Sequence, residues 1–182
     1  MKKVVSVLLV LCCVLVVAPL VWAQGNDQYT VLLIHSDNAD GDTYFVDNSV
    51  GGEIHNITAN GHVHHSTDQV NSGFGNSSIY FDGTGDYLSV EDSEHLYMGT
   101  GKFTIDGWVY VTDFTDLRTI LNHYSPSSNA NQFQLYFHNT GGGMAQLEAW
   151  FGNGSTFDIR KTDPVFSEDT WYHIAMVQTL QL

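Results

Sequence analysis

Beyond residue 23 the sequence contains no cysteine and only four basic side chains: Lys102, Arg118, Arg160 and Lys161. The two cysteines, Cys12 and Cys13, lie in an apolar run that reads as an address rather than as part of a fold. Lys2 and Lys3 open that run, Val4 to Val17 continue it, and Val21-Trp22-Ala23 closes it with a signal-peptidase pattern, giving cleavage before Gln24. Pro19 and the absence of a following positive charge argue against a retained membrane anchor. Leu11 before Cys12 argues against a lipid anchor, which needs a small residue there. Residues 1–23 are thus expected to be a signal peptide, and the mature chain to be secreted, extracellular or at the cell surface. Without thiols it can have no disulfide framework, thiolate nucleophile or cysteine zinc site, so its stability must come from a hydrophobic core.

The shortage of positive charge excludes further classes. The chain carries a formal net charge of −14. Such a surface repels phosphate backbones and anionic lipid, so neither nucleic acid nor insertion into a membrane is expected. Helical periodicity is also missing: no window of a dozen residues sustains an apolar stripe at helical spacing. Internal repeats and low-complexity linkers are absent as well, and residues 24–182 read as one domain.

What is present alternates. Phe103, Ile105, Gly107 and Val109 interleave with Thr104, Asp106, Trp108 and Tyr110 at period two. Phe133, Leu135 and Phe137 repeat the device, as do Leu147, Ala149 and Phe151, and Phe157 with Ile159. Asn153-Gly154 between the last two runs suits a tight hairpin. Further strands are expected at 30–35, 78–81, 87–90, 119–124 and 171–177. Many short strands at this spacing predict an all-β fold, a two-sheet antiparallel jelly-roll sandwich. The apolar strand 171–177 is followed only by Gln178 to Leu182, so the sandwich is expected to be incomplete at the C-terminus.

Three segments resemble the laminin-G-like, or concanavalin A-like, jelly-roll family. They are Ser77-Ser78-Ile79-Tyr80-Phe81-Asp82-Gly83-Thr84-Gly85-Asp86-Tyr87-Leu88, then Phe103-Thr104-Ile105-Asp106-Gly107-Trp108-Val109, then Trp171-Tyr172-His173-Ile174-Ala175. Leu32 to Asp37 and Asp47-Asn48-Ser49 look like the family's first strand and following loop. Most of these are fold residues: Phe81, Tyr87, Phe103 and Trp108 are large enough to fill the space between two sheets. They specify architecture better than ligand.

The resemblance implies a recognition or adhesion module for a glycan or a cell-surface or extracellular protein. The rivals are a structural spacer with no small ligand and a divergent glycoside hydrolase. Hydrolases of this fold resemble one another in a Glu-x-Asp-x-Glu strand. Glu91-Asp92-Ser93-Glu94 has the wrong spacing for that and Glu148 stands alone, so no catalytic residue is assigned. The resemblance also implies one structural calcium ion, with Asp37 and Asp47 at the matching positions. His62, His64 and His65 lack a third ligand of known position and read as an exposed polar strand. Trp150, Tyr124 and Tyr136 could stack on sugars if they face solvent.

Overall fold

The computed structural model describes residues 26–97, 101–123, 130–153 and 157–179. Eleven strands run in chain order: β1 Ile57–Asn60, β2 His64–Ser66, β3 Ser78–Tyr80, β4 Tyr87–Val90, β5 Phe103–Tyr110, β6 Arg118–His123, β7 Ala130–Gly141, β8 Met144–Asn153, β9 Phe157–Lys161, β10 Phe166–Ser167 and β11 Trp171–Gln178. Every pairing is antiparallel, and the only helical element among the described residues is a 3-10 turn at Glu94–Leu96. The fold is the all-β antiparallel jelly-roll sandwich that the alternation predicts.

One layer has five strands. β7 lies between β6 and β8, and the far edge of β8 is shared by β9 and β10. The hairpin from β7 to β8 turns on Gly142 and Gly143, both at positive φ (66° and 72°), the backbone that a two-residue turn of this twist requires at both positions. With a one-residue register shift between Asn139 and Gly141, that turn places Phe137 opposite Leu147 and Leu135 opposite Ala149 on one face, and Tyr136 opposite Glu148 on the other. The facing layer is the pair β5–β11, in register from Phe103↔Gln178 to Tyr110↔Trp171. Between the layers lies a core of Phe114, Leu135, Phe137, Ala145, Ala149, Phe166 and Ile174, with Val109, Leu147, Tyr172 and Met176 packed against it. Its rings meet edge to face, Phe137 contacting Phe114 at 5.3 Å and Phe166 at 5.0 Å. β11 is therefore covered on its inner face, where Ile174 is buried.

Two expectations need correction. Residues 30–35 form no ladder, only a bridge between Ile34 and Asp47. The reason is local: the Asp47 carboxylate accepts the Leu33 N–H that a neighbouring strand's carbonyl would have taken. The motif aromatics also do not fill the core. Trp108 is 38 % exposed, Phe81 47 % and Tyr87 55 %, because Trp108 has the outward parity of β5 and the other two flank an exposed turn. Of the four, Phe103 alone turns inward, half-buried against Phe151.

A separate small cluster supports the segment before β3. Phe45 stacks on His65 at 4.3 Å beside the buried Val63. His65 donates from Nε2 to the Tyr44 carbonyl and accepts from the Ser36 hydroxyl at Nδ1. Gly51 closes this segment against residues 28–30, where any Cβ would sit 2.6 Å from the Gln28 carbonyl oxygen. Gly51→Ala is therefore expected to cost about 1–3 kcal/mol, read as an earlier urea midpoint at unchanged m-value.

Candidate functional site

The outward face of β7 and β8 carries Tyr136 and His138 on one strand and Gln146, Glu148 and Trp150 on the other, all of one parity. Ordinarily such a face is solvated, yet Tyr136 is 4 % exposed and Glu148 6 %. A buried carboxylate is costly unless its oxygens are satisfied, and here they are. Tyr136 donates its hydroxyl to Oε2 at 2.5 Å, His138 Nδ1 donates to Oε1 at 2.9 Å, and the Gln146 amide donates to the same Oε1. The Trp150 ring meets Tyr136 edge to face at 6.0 Å.

These contacts set the protonation states. Burial pushes Glu148 toward its neutral form, but hydrogen bonds from Tyr136, His138, Gln146 and Trp150 outweigh it and lower the pKa from 4.5 to about 2. Burial and the adjoining carboxylate raise the Tyr136 phenol well above its ordinary value. Glu148 is thus a fixed negative charge under all mild conditions.

Above this floor opens a cleft of about 650 Å³, lined by Thr115, Asp116, Leu117, Tyr136, His138, Asn139, Gly141, Glu148 and Trp150. Its wall is the loop from β5 to β6. Phe114 fastens that loop by burying its ring in the core at 2 % exposure, and its N–H donates to Glu168 Oε1. The Arg118 guanidinium holds the Asp113 carboxylate and carbonyl at 2.9 and 2.7 Å, and Asn139 reaches across to the Thr115 carbonyl. Wall and floor are therefore built before any ligand arrives.

The other candidates fall elsewhere. Asp47 lies in a buried pocket of donors: Oδ1 accepts the N–H groups of Leu33 and Ser49, and Oδ2 accepts the N–H and the ring Nδ1 of His55. Burial opposes its charge, but these bonds win and hold its pKa far below the ordinary 3.8. With four protein donors on its two oxygens, Asp47 ties Leu33, Ser49 and His55 together. Asp37 is exposed, with His35 at 3.8 Å. Among the described residues, the one group of three candidate ligands within 4.8 Å is His62, Asp82 and Asp86. It is a turn in which Asp86 accepts the N–H groups of His62 and Asp82. The exposed polar strand expected at His62, His64 and His65 is only partly present: His62 precedes β2, and His65 is buried because its ring stacks on Phe45. Tyr124, the Asn153-Gly154 hairpin and residues 1–23 lie outside the described residues. Glu94 belongs to the 3-10 turn, so the Glu91–Glu94 cluster is no paired-carboxylate strand.

A pH dependence follows. The folded pKa values of Glu148 and Asp47 are depressed, so each contributes stability that is present above its unfolded value and lost as pH falls toward its folded one. The melting temperature is expected to stay level from pH 7 to 5 and to drop from pH 4.5 toward 2. Glu148→Gln should flatten that drop in circular-dichroism melts.

The Laminin_G_3 family model, of the Concanavalin A-like lectin/glucanases superfamily, matches residues 82–179, more than half of the chain. The matched stretch contains β5 to β11 and with them the whole cleft. No curated protein and no solved structure matches the chain. The match joins the fold and the three motif segments in one conclusion: the chain belongs to the laminin-G-like family of the concanavalin A-like superfamily.

Proposed function

We propose that the chain is a secreted, non-catalytic recognition module that binds carbohydrate in the cleft between β7, β8 and the 113–117 loop. Laminin-G-like domains are generally non-catalytic and commonly bind glycans or proteins. The observation that carries the reading is the Glu148 carboxylate, ionised and immobile beneath an open cleft with Trp150 at its side. Sugar sites combine a ring edge or face with fixed polar groups that set orientation.

The same geometry argues against hydrolysis. A general acid must carry a proton near neutral pH, and a carboxylate with a pKa of about 2 does not. A nucleophile needs an oxygen lone pair aimed at substrate, whereas the oxygens of Glu148 already accept from Tyr136, His138 and Gln146.

The test is retention of the purified protein on immobilised neutral polysaccharides, with Trp150→Ala as the comparison. Loss of retention in the variant supports the cleft, and equal retention places binding elsewhere. Incubation with β-glucans and galactans should release no reducing ends above background. A second reading, adhesion to a surface protein, is favoured by one observation: on the outer face of β5–β11, exposed Trp108 contacts Phe74 at 4.7 Å and His173 at 5.3 Å. Trp108→Ser would then weaken adhesion while Trp150→Ala leaves it intact. Secretion is checked by N-terminal sequencing of the exported protein, which should begin at Gln24.

A further inference from the structure

We propose that the cleft selects uncharged glycans and excludes uronic-acid and sulfated ones, with Asp116 as the residue that both accepts the sugar hydroxyls and sets the exclusion. The proposal rests on the carbohydrate reading above and names the ligand class within it.

The argument begins with the charges that line the cleft. Nine residues form it; Asp116 and Glu148 are acidic, and none is lysine or arginine. His138 is the one lining group able to become positive, and only when protonated; its Nδ1 is engaged by Glu148. The nearest cations in the fold are otherwise committed or set aside. Arg118 is bound to Asp113 and Arg160 to Asp158. Lys161 is the register partner of Glu148 across β8–β9, yet it is exposed and outside the lining. The whole sequence carries a formal net charge of −14, these two carboxylates included.

The two carboxylates differ in what they offer. Glu148 is buried and its oxygens are filled by protein donors, so it contributes a fixed field and little hydrogen-bonding capacity. Thr115 and Asn139 are partly engaged as well. The Thr115 hydroxyl donates to Asp113, and Asn139 donates to the Thr115 carbonyl and accepts from the Gly141 N–H. Asp116 is exposed, and among the described residues no side chain or N–H is paired with it. It is therefore a charged acceptor left open to a ligand, in a site whose other polar side chains are each at least partly engaged within the protein. Sugar hydroxyls are donors as well as acceptors, so a neutral glycan meets Asp116 productively. A ligand carboxylate or sulfate brings acceptors only, opposite an acceptor, within a Debye length of two like charges. Discrimination against a ligand by a repulsive group is as effective as added attraction to its rival.

The experiment uses matched oligosaccharides of one length: gluco- against glucurono-, galacto- against galacturono-, and manno- against mannurono-hexamers. Binding to the purified protein is measured by calorimetry at 20 mM and 500 mM salt. At low salt the neutral member of any pair that binds should bind at least tenfold tighter than its acidic counterpart, and high salt should narrow the ratio. Asp116→Asn, which keeps hydrogen-bonding groups and removes the charge, should also narrow it. Equal or tighter binding of an acidic member by the wild type overturns the exclusion while leaving carbohydrate recognition standing. A ratio unmoved by both salt and Asp116→Asn overturns the role of Asp116. Silence across all six hexamers removes the carbohydrate reading and this inference together.

Discussion

Phe114→Ala is expected to lower the stability of the protein by about 3–5 kcal/mol, on the order of 10 °C in melting temperature for a domain of this size. Phe114 is 2 % exposed and meets Phe137 edge to face in the core. The effect should exceed simple cavity formation because Phe114 also anchors the wall of the cleft through the Thr115–Leu117 segment. Differential scanning calorimetry gives the stability change, and ligand affinity measured well below the melting temperature should fall too. Phe114→Leu separates the two roles: it keeps the anchor apolar and buried, so most affinity should return with roughly half of the stability.

Glu148→Ala is expected to weaken ligand binding by tenfold or more and to cost about 1–3 kcal/mol of stability. Tyr136, His138 and Gln146 all donate to this carboxylate, so its removal leaves the buried Tyr136 hydroxyl without its acceptor and frees the other two donors. Glu148→Gln keeps the shape but presents an amide N–H₂ where donors already converge, so it should recover little. Tyr136→Phe removes a single donor and should fall between the variants and the wild type. A flat affinity across this series would show that the floor is a structural network and the ligand binds elsewhere.

The larger strands were readable because their signal is strong. Phe103 to Tyr110 and the runs around Leu135 and Ala149 alternate over enough residues to announce both strand and inward face, whereas 171–177 is legible as a strand from its apolar run alone. β1 carries only Ile57 and Ala59 as apolar residues, and β10 is two residues long, so neither has a period to detect. Residues 30–35 were over-read because a side chain, Asp47, stands in for the partner strand. Trp108, Phe81 and Tyr87 were assigned to the core on size, although the parity of β5 already put Trp108 on the outside.

The site was harder to see, for a physical reason. Glu148 looks isolated because its sequence neighbours Leu147 and Ala149 point to the opposite face. Two of its partners, Tyr136 and His138, come from the neighbouring strand and only register reveals them, while Gln146 sits two residues before it on the same face. Gly141-Gly142-Gly143 marks the turn, but counting back from it pairs Tyr136 with Ala149; the irregularity between Asn139 and Gly141, which no sequence pattern announces, moves the register by one and sets Tyr136 opposite Glu148. The fourfold satisfaction of Asp47 was not readable at all, since its donors span Leu33 to His55 through irregular backbone.

The most direct test of the account is an NMR titration of the isotopically labelled protein with the neutral oligosaccharide that binds best. The account predicts that the Trp150 indole, the His138 ring and the backbone of 115–117 and 139–141 shift together and saturate at one affinity. The Trp108 indole should stay still, and the oligosaccharide should remain intact throughout. Shifts confined to Trp108, Phe74 and His173, or cleavage that disappears in Glu148→Gln, would contradict it.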